Sequence, residues 1–175
     1  MSFTLKVNFT KGWPCPTIVD HVGNPASGQT VDEGMIAHLN SAGEWVRGVS
    51  NVNQTPHVLW NGAAQDGDHG HVFDSAKAYA QVGWGGIQGV SFINQIEVET
   101  SQYDTGTLPA FGDQLDAHTD GKLYVAVQAD GTLIRASKVI CAICVKGPHK
   151  MANGAGNVNV ITITPDMSKR TSPSS

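Results

Sequence analysis

The chain has 175 residues, with 11 Lys and Arg against 15 Asp and Glu and a formal net charge of −4. That length suits one ordinary domain needing neither disulfides nor metal to fold, and the charge balance argues against nucleic acid as the main partner, which would need clustered positive charge. Charged residues make up only 15% of the chain, where about 25% is usual, so Asn, Thr, Ser, Gln and 20 Gly are left to cover much of the surface, a composition suited to contact with other proteins.

At the N-terminus Phe3, Leu5, Val7 and Phe9 alternate with Thr4, Lys6 and Asn8. This is a strand with one buried face, or an arm over residues 1–12 that adds to a neighbour's sheet edge. The alternation contains no apolar block of the kind a signal peptide carries, and no run reaches the length of a membrane span. Synthesis in a reducing cytoplasm, with no membrane partner, is the expectation. Gly12-Trp13-Pro14-Cys15-Pro16 ends the strand, because proline cannot donate to a ladder.

Met35 to Leu39 and Trp45 to Val49 are short apolar stretches around Asn40-Ser41-Ala42-Gly43, the pattern of a hairpin. Val58-Leu59-Trp60 predicts a strand, and Ser75 to Val82 a two-turn helix stopped by Gly83. Ile96, Val98 and Thr100 alternate with Glu97 and Glu99, predicting a strand whose glutamates face water. Leu123 to Val127 is apolar, Ala129-Asp130-Gly131 a turn signal, and Thr132-Leu133-Ile134 a return strand. Val139 to Val145 reads as a strand buried on both faces and closed by Lys146-Gly147-Pro148, and Val158 to Thr164 as another strand. Residues 168–175 have nothing to bury and read as a disordered tail.

Together these elements predict an all-β fold, a compact barrel or sandwich with long loops and little helix, over one domain of residues 1–167. Its core is expected from Leu123, Val125, Val127, Ile134, Ile140, Ile143, Val145, Ile161 and Ile163. A faint echo links the halves. Gly34 and Gly43 are nine positions apart, as are Gly112 and Gly121, and a strand leaves the second glycine of each pair. Two hairpins of similar geometry are the simpler reading, and a duplication the alternative.

No constellation for catalysis or for a cofactor emerges. Asp66, Asp68, His69 and His71 carry nitrogen and oxygen donors suited to zinc or manganese. As an EF-hand loop the segment fails, since His71 stands where Gly is needed and Lys77 where Glu is needed. Cys141 and Cys144 have C-x-x-C spacing but lie inside an apolar strand, which predicts inert buried thiols. Gly83-Trp84-Gly85-Gly86-Ile87-Gln88-Gly89 misses the dinucleotide fingerprint, its last glycine falling one position late.

The run Gly112-Asp113-Gln114-Leu115, Gly121-Lys122-Leu123, Asp130-Gly131-Thr132-Leu133-Ile134 and Ile140-Cys141-Ala142-Ile143-Cys144 resembles the small decoration, or cement, proteins and related head structural proteins of tailed bacteriophages. Gly34 to Val46 resembles the matching N-terminal piece of those proteins, and Glu97 to Asp104 their approach to the module. The resemblance is detailed over residues 96–145, whereas the 50–72 loop and the 83–89 segment lie outside the common pattern. It implies a β-rich virion protein without catalysis on the capsid surface. Its partners would be the major capsid protein and copies of itself, as a symmetric dimer or trimer. Two alternatives stay open: a tail, neck or baseplate component, and a small metal-dependent enzyme on a cupin-like barrel using His57, Asp68, His69 and His71.

Overall fold

The computed structural model describes residues 21–32, 34–60, 72–74, 87–91, 97–136, 138–150, 159–166 and 171. In chain order the strands are β1 His21–Gly23, β2 Thr30–Asp32, β3 Ile36–Leu39, β4 Trp45–Arg47, β5 His57–Trp60 and β6 Val72–Asp74. They continue with β7 Ile87–Ser91, β8 Val98–Thr100, β9 Gln114–Ala117, β10 Leu123–Val127, β11 Ile140–Lys150 and β12 Asn159–Pro165. There is no helix among the described residues. The fold is all-β, with two five-stranded antiparallel sheets and a two-stranded ribbon of β2 and β6. The N-terminal alternation, the 75–82 helix and Cys15 lie outside the described residues.

The two large sheets repeat one another. One runs β1-β7-β5-β3-β4 and the other, taken from the corresponding end, β8-β12-β11-β9-β10. The pairs Leu39–Trp45, His38–Val46 and Ala37–Arg47 recur as Ala117–Leu123, Asp116–Tyr124 and Leu115–Val125. The turns match bond for bond. Gly43 N donates to Asn40 O and Asn40 N to Glu44 O, as Gly121 N does to His118 O and His118 N to Lys122 O. Gly43 and Gly121 take φ of 76° and 81°, a region open to glycine at little cost. Likewise Gly34 N donates to Leu59 O and Leu59 N to Met35 O, and Gly112 N donates to Cys144 O and Cys144 N to Asp113 O. The parallel bridge Pro25–Trp45 recurs as Tyr103–Leu123. The echo in the sequence therefore belongs to a repeat of whole sheets, and the two-hairpin reading is too small.

The largest core cluster draws on both sheets, joining Ile36, Val49 and Val58 to Val98, Leu115, Leu123, Cys141, Ile161 and Ile163. A second cluster, within the first repeat, gathers Val31, Met35, Ala37, Trp45 and Leu59. Of the expected core, Leu123, Val125, Val127, Ile140, Ile161 and Ile163 are buried. Ile143 and Val145 are only half-buried, and Ile134 is 41% exposed. The return strand after Gly131 is reduced to one bridge, Val127–Leu133. Ile134 N and Arg135 N then both donate to Ala126 O, so the chain veers off the sheet before Ile134 can be covered.

Two other expectations are corrected. The strand from Val139 does not close at Lys146-Gly147-Pro148 but continues to Lys150. Its pairing with β12 skips from Lys146–Thr162 to His149–Val160, so Pro148 sits in a bulge where no amide is needed. That overrun brings His149 beside β8, and Glu99, expected to face water, is 1% exposed. His149 Nε2 lies 3.2 Å from Glu99 Oε1 and 3.4 Å from Thr162 Oγ1. His149 Nδ1 lies 2.8 Å from Gly147 O and, since a carbonyl only accepts, donates to it. Glu99 therefore faces an imidazole and a hydroxyl inside the sheet rather than water.

Candidate functional site

Of the candidate residues in the sequence, Asp66, Asp68, His69 and His71, and the arm residues Phe3, Leu5, Val7 and Phe9, all lie outside the described residues. His57 is described. It is a buried core side chain whose Nδ1 donates to Thr55 O at 2.9 Å and whose ring meets Trp45 edge-on at 5.2 Å. Among the described residues no group of three or more His, Cys, Asp and Glu side chains could hold a metal ion. Cys141 and Cys144 are free and buried in β11. Burial pushes both thiols up, Cys144 to about 11, and so away from the thiolate form that reacts.

Two features stand out instead, both on the second repeat. The first is a loop fixed by the Gly112-Asp113 pair. Gly112 turns the chain at φ 86°, and the buried Asp113 carboxylate accepts from Ala110 N at 2.8 Å and from Ala129 N at 2.9 Å. Asp104 Oδ2 accepts from Thr107 N at 3.1 Å. Between these anchors the loop holds Leu108 58% and Phe111 76% exposed. The Gly-Asp-x-Leu signature thus has a physical reading: glycine turns, aspartate pins two segments, and Leu115 locks into the core. A large aromatic fixed in water by its supporting backbone has already lost the freedom that binding would otherwise remove. The signal was available as the apolar island Leu108-Pro109-Ala110-Phe111 between two glycines, but it has no strand period and so reads only as a loop.

The second feature is a cleft of about 120 Å³ at the seam between the repeats, lined by Val49 and Ser50 on one side and by Asp116, His118, Thr119 and Lys138 on the other. Asp116 is 2% exposed, and Arg135 Nη1 stands 3.5 Å from its Oδ1. Burial raises its carboxyl above the ordinary value, against the pull of Arg135 and His118. The Arg135 guanidinium lies over the Tyr124 ring, 4.4 Å from its centroid, and His118 packs on the same ring at 5.3 Å. Tyr124 donates to Asp120 Oδ2 at 2.8 Å, which pushes the phenol up to about 12. Burial acts to raise the Asp120 carboxyl, but the bonds from Lys122 N and Tyr124 outweigh it and hold the carboxyl low. Ser50 Oγ donates to Gln54 Oε1 at 3.4 Å, so its hydroxyl is turned to an amide. The cluster binds and orders its own members, stacking a cation and an imidazole on one phenol.

No protein-family model, no curated protein and no solved structure matches the chain.

Proposed function

We propose that this chain is a non-enzymatic structural protein of a phage virion, which binds the lattice of the major capsid protein and stabilises the head shell. The observation that carries this reading is the loop held by Asp113, with Leu108 and Phe111 projecting from a β-rich body of low charge. Aromatic anchors dominate protein–protein contacts, and an exposed apolar pair on a fixed loop offers such an anchor. The likeness of Gly112 to Cys144 to capsid decoration proteins points the same way. Weak contacts multiplied by symmetry give firm attachment without a strong single interface. A symmetric homo-oligomer on the capsid surface meets that requirement.

A ligand that binds only the assembled lattice lowers the free energy of that state at every occupied site. Particles lacking the protein are therefore expected to assemble with normal shape but to release their genome at lower temperature. Adding back the Leu108→Ser/Phe111→Ser variant should not restore the lost heat resistance. Unchanged shell strength with lost tail attachment would instead mark a tail, neck or baseplate component. A stoichiometric zinc, iron or manganese surviving purification would revive the enzyme alternative.

A further inference from the structure

The shared register places a buried polar side chain at the same point in each repeat. His38 pairs with Val46 in the first, and Asp116 with Tyr124 in the second. His38 is engaged at both ring nitrogens. Its Nδ1 donates to Gly48 O at 2.8 Å, and its Nε2 accepts from the Gln54 carboxamide at 2.9 Å. That amide is fixed in orientation, because Gln54 Oε1 accepts from Ser50 N at 2.8 Å and from Asn51 N at 3.1 Å. The first repeat thus closes over its buried polar group with a primary carboxamide from its own loop. In the second repeat the loop after β10 takes another course, with Ala126 O accepting from Ile134 N and Arg135 N. Arg135 lies over Tyr124 with Nη1 3.5 Å from Asp116 Oδ1, at ion-pair distance. No group among the described residues hydrogen-bonds that oxygen, although Asp116 is only 2% exposed. A buried acceptor left so is costly, and in a native protein it calls for a reason.

The cleft at the seam is walled by this same side chain. Asp116 lines it together with the buried, apolar Val49, Ala117 and Val139 and the half-buried Lys138. Its volume of about 120 Å³ falls somewhat below the roughly 150 Å³ that admits benzene, which leaves room for a planar group of four heavy atoms. Charge decides which group. A cation would meet Arg135 and Lys138, and an anion would meet the Asp116 carboxylate. A neutral group with a donor at one corner and an acceptor at the other suits both. We propose that this cleft binds a primary carboxamide, its N–H donating to Asp116 and its carbonyl accepting from Lys138, the counterpart of what Gln54 supplies in cis to His38. A small free amide and the Asn or Gln side chain of a partner protein present this same group. The inference concerns the isolated chain and does not depend on the capsid reading.

The test is a titration of the labelled full chain with acetamide, followed by amide chemical shifts. A ligand of so few atoms binds weakly, so the titration runs to about 100 mM. Saturable shifts are expected at the Val49, Ser50, Thr119 and Val139 amides, which border the cleft. Acetate and acetamidinium have the same shape with one sign of charge each, and neither should saturate these amides. Asp116→Leu removes the acceptor and should weaken acetamide about tenfold or more. If that variant does not fold, Ser50→Trp at the exposed rim obstructs the cleft without touching the core and is expected to abolish the shifts. N-acetylglutamine N-methylamide separates the two sources: tighter binding than acetamide marks a partner's side chain, and its exclusion while acetamide saturates marks a small free amide. No saturation by acetamide, equal binding of either charged isostere, or binding that survives the variants overturns the proposal.

Discussion

At the scale of single residues, the second repeat sets two aspartates against each other within one cluster. Burial raises Asp116, so the folded chain takes up its proton more readily than the unfolded chain does. Stability from this group therefore falls as pH rises through the interval between the ordinary value of 3.8 and the raised folded one. Asp116→Asn should melt higher than the parent at pH 7, with Arg135 still seated on Tyr124. That advantage should vanish as the pH is lowered toward 4. Asp120 has the opposite sign. Its depressed carboxyl contributes stability above the ordinary range, lost as pH falls through the folded value. Asp120→Asn should melt lower at pH 7 and converge with the parent in acid. Melting curves of both variants from pH 3 to 7 check the pair, and gaps of the same sign would refute the assignment. Asp113 accepts from Ala110 N and Ala129 N and so ties two loop segments together. Asp113→Ala is expected to cost about 1–3 kcal/mol in urea unfolding and to strip exchange protection from the Ala110 and Ala129 amides, the two donors it holds.

At the scale of elements, β11 is the strand on which the second sheet depends, because it lies between β9 and β12. Ile140→Ala removes a fully buried side chain and should cost about 2–5 kcal/mol. Ile134→Ala, at a 41% exposed site, should fall within a few tenths. Both values come from the same denaturant titration, and equal losses would mean that the hairpin after Gly131 is better covered than its single bridge implies. These two isoleucines also mark where the sequence could be read and where it could not. Short apolar runs with β-branched residues identify strands, because period and composition are local, and so β3, β4, β5, β10 and β12 were all legible. Whether a strand has a wet face is decided by what lies across the sheet. Glu99 followed an alternation that local pattern assigns to water, yet the overrun of β11 past Pro148 set His149 against it. A proline normally ends a ladder, and nothing local announces the bulge that accommodates it. The exposed pair Leu108 and Phe111 was illegible for the converse reason: an apolar island in a loop looks the same whether it is tucked in or held out.

At the scale of the whole molecule, the two repeats raise the question of whether the chain unfolds once or twice. Repeat architecture alone would allow each sheet to melt by itself, since nearest-neighbour units can uncouple. The core argues otherwise. Its largest cluster interleaves Ile36, Val49 and Val58 from the first repeat with Leu115, Leu123, Ile161 and Ile163 from the second, so neither half retains a complete interior without the other. Backbone bonds cross the seam at Ile36–Gly121 and Val49–Ala117, and Thr100 Oγ1 donates to Gly34 O at 2.9 Å. The expected outcome is one calorimetric transition whose van't Hoff and measured enthalpies agree. Gly48 provides the lever on that coupling. It sits at φ 75°, and a Cβ there would meet the His118 carbonyl at 2.1 Å, so Gly48→Ala adds backbone strain to a collision with rigid main chain. A loss of about 3 kcal/mol or more follows, combining an unfavourable φ with overpacking at the seam. Because the damage is confined to the junction, the variant should also split the single transition into two or lower its van't Hoff enthalpy below the measured one. A Gly48→Ala chain that melts in one sharp step at the parent's temperature would show that the seam carries little of the cooperativity.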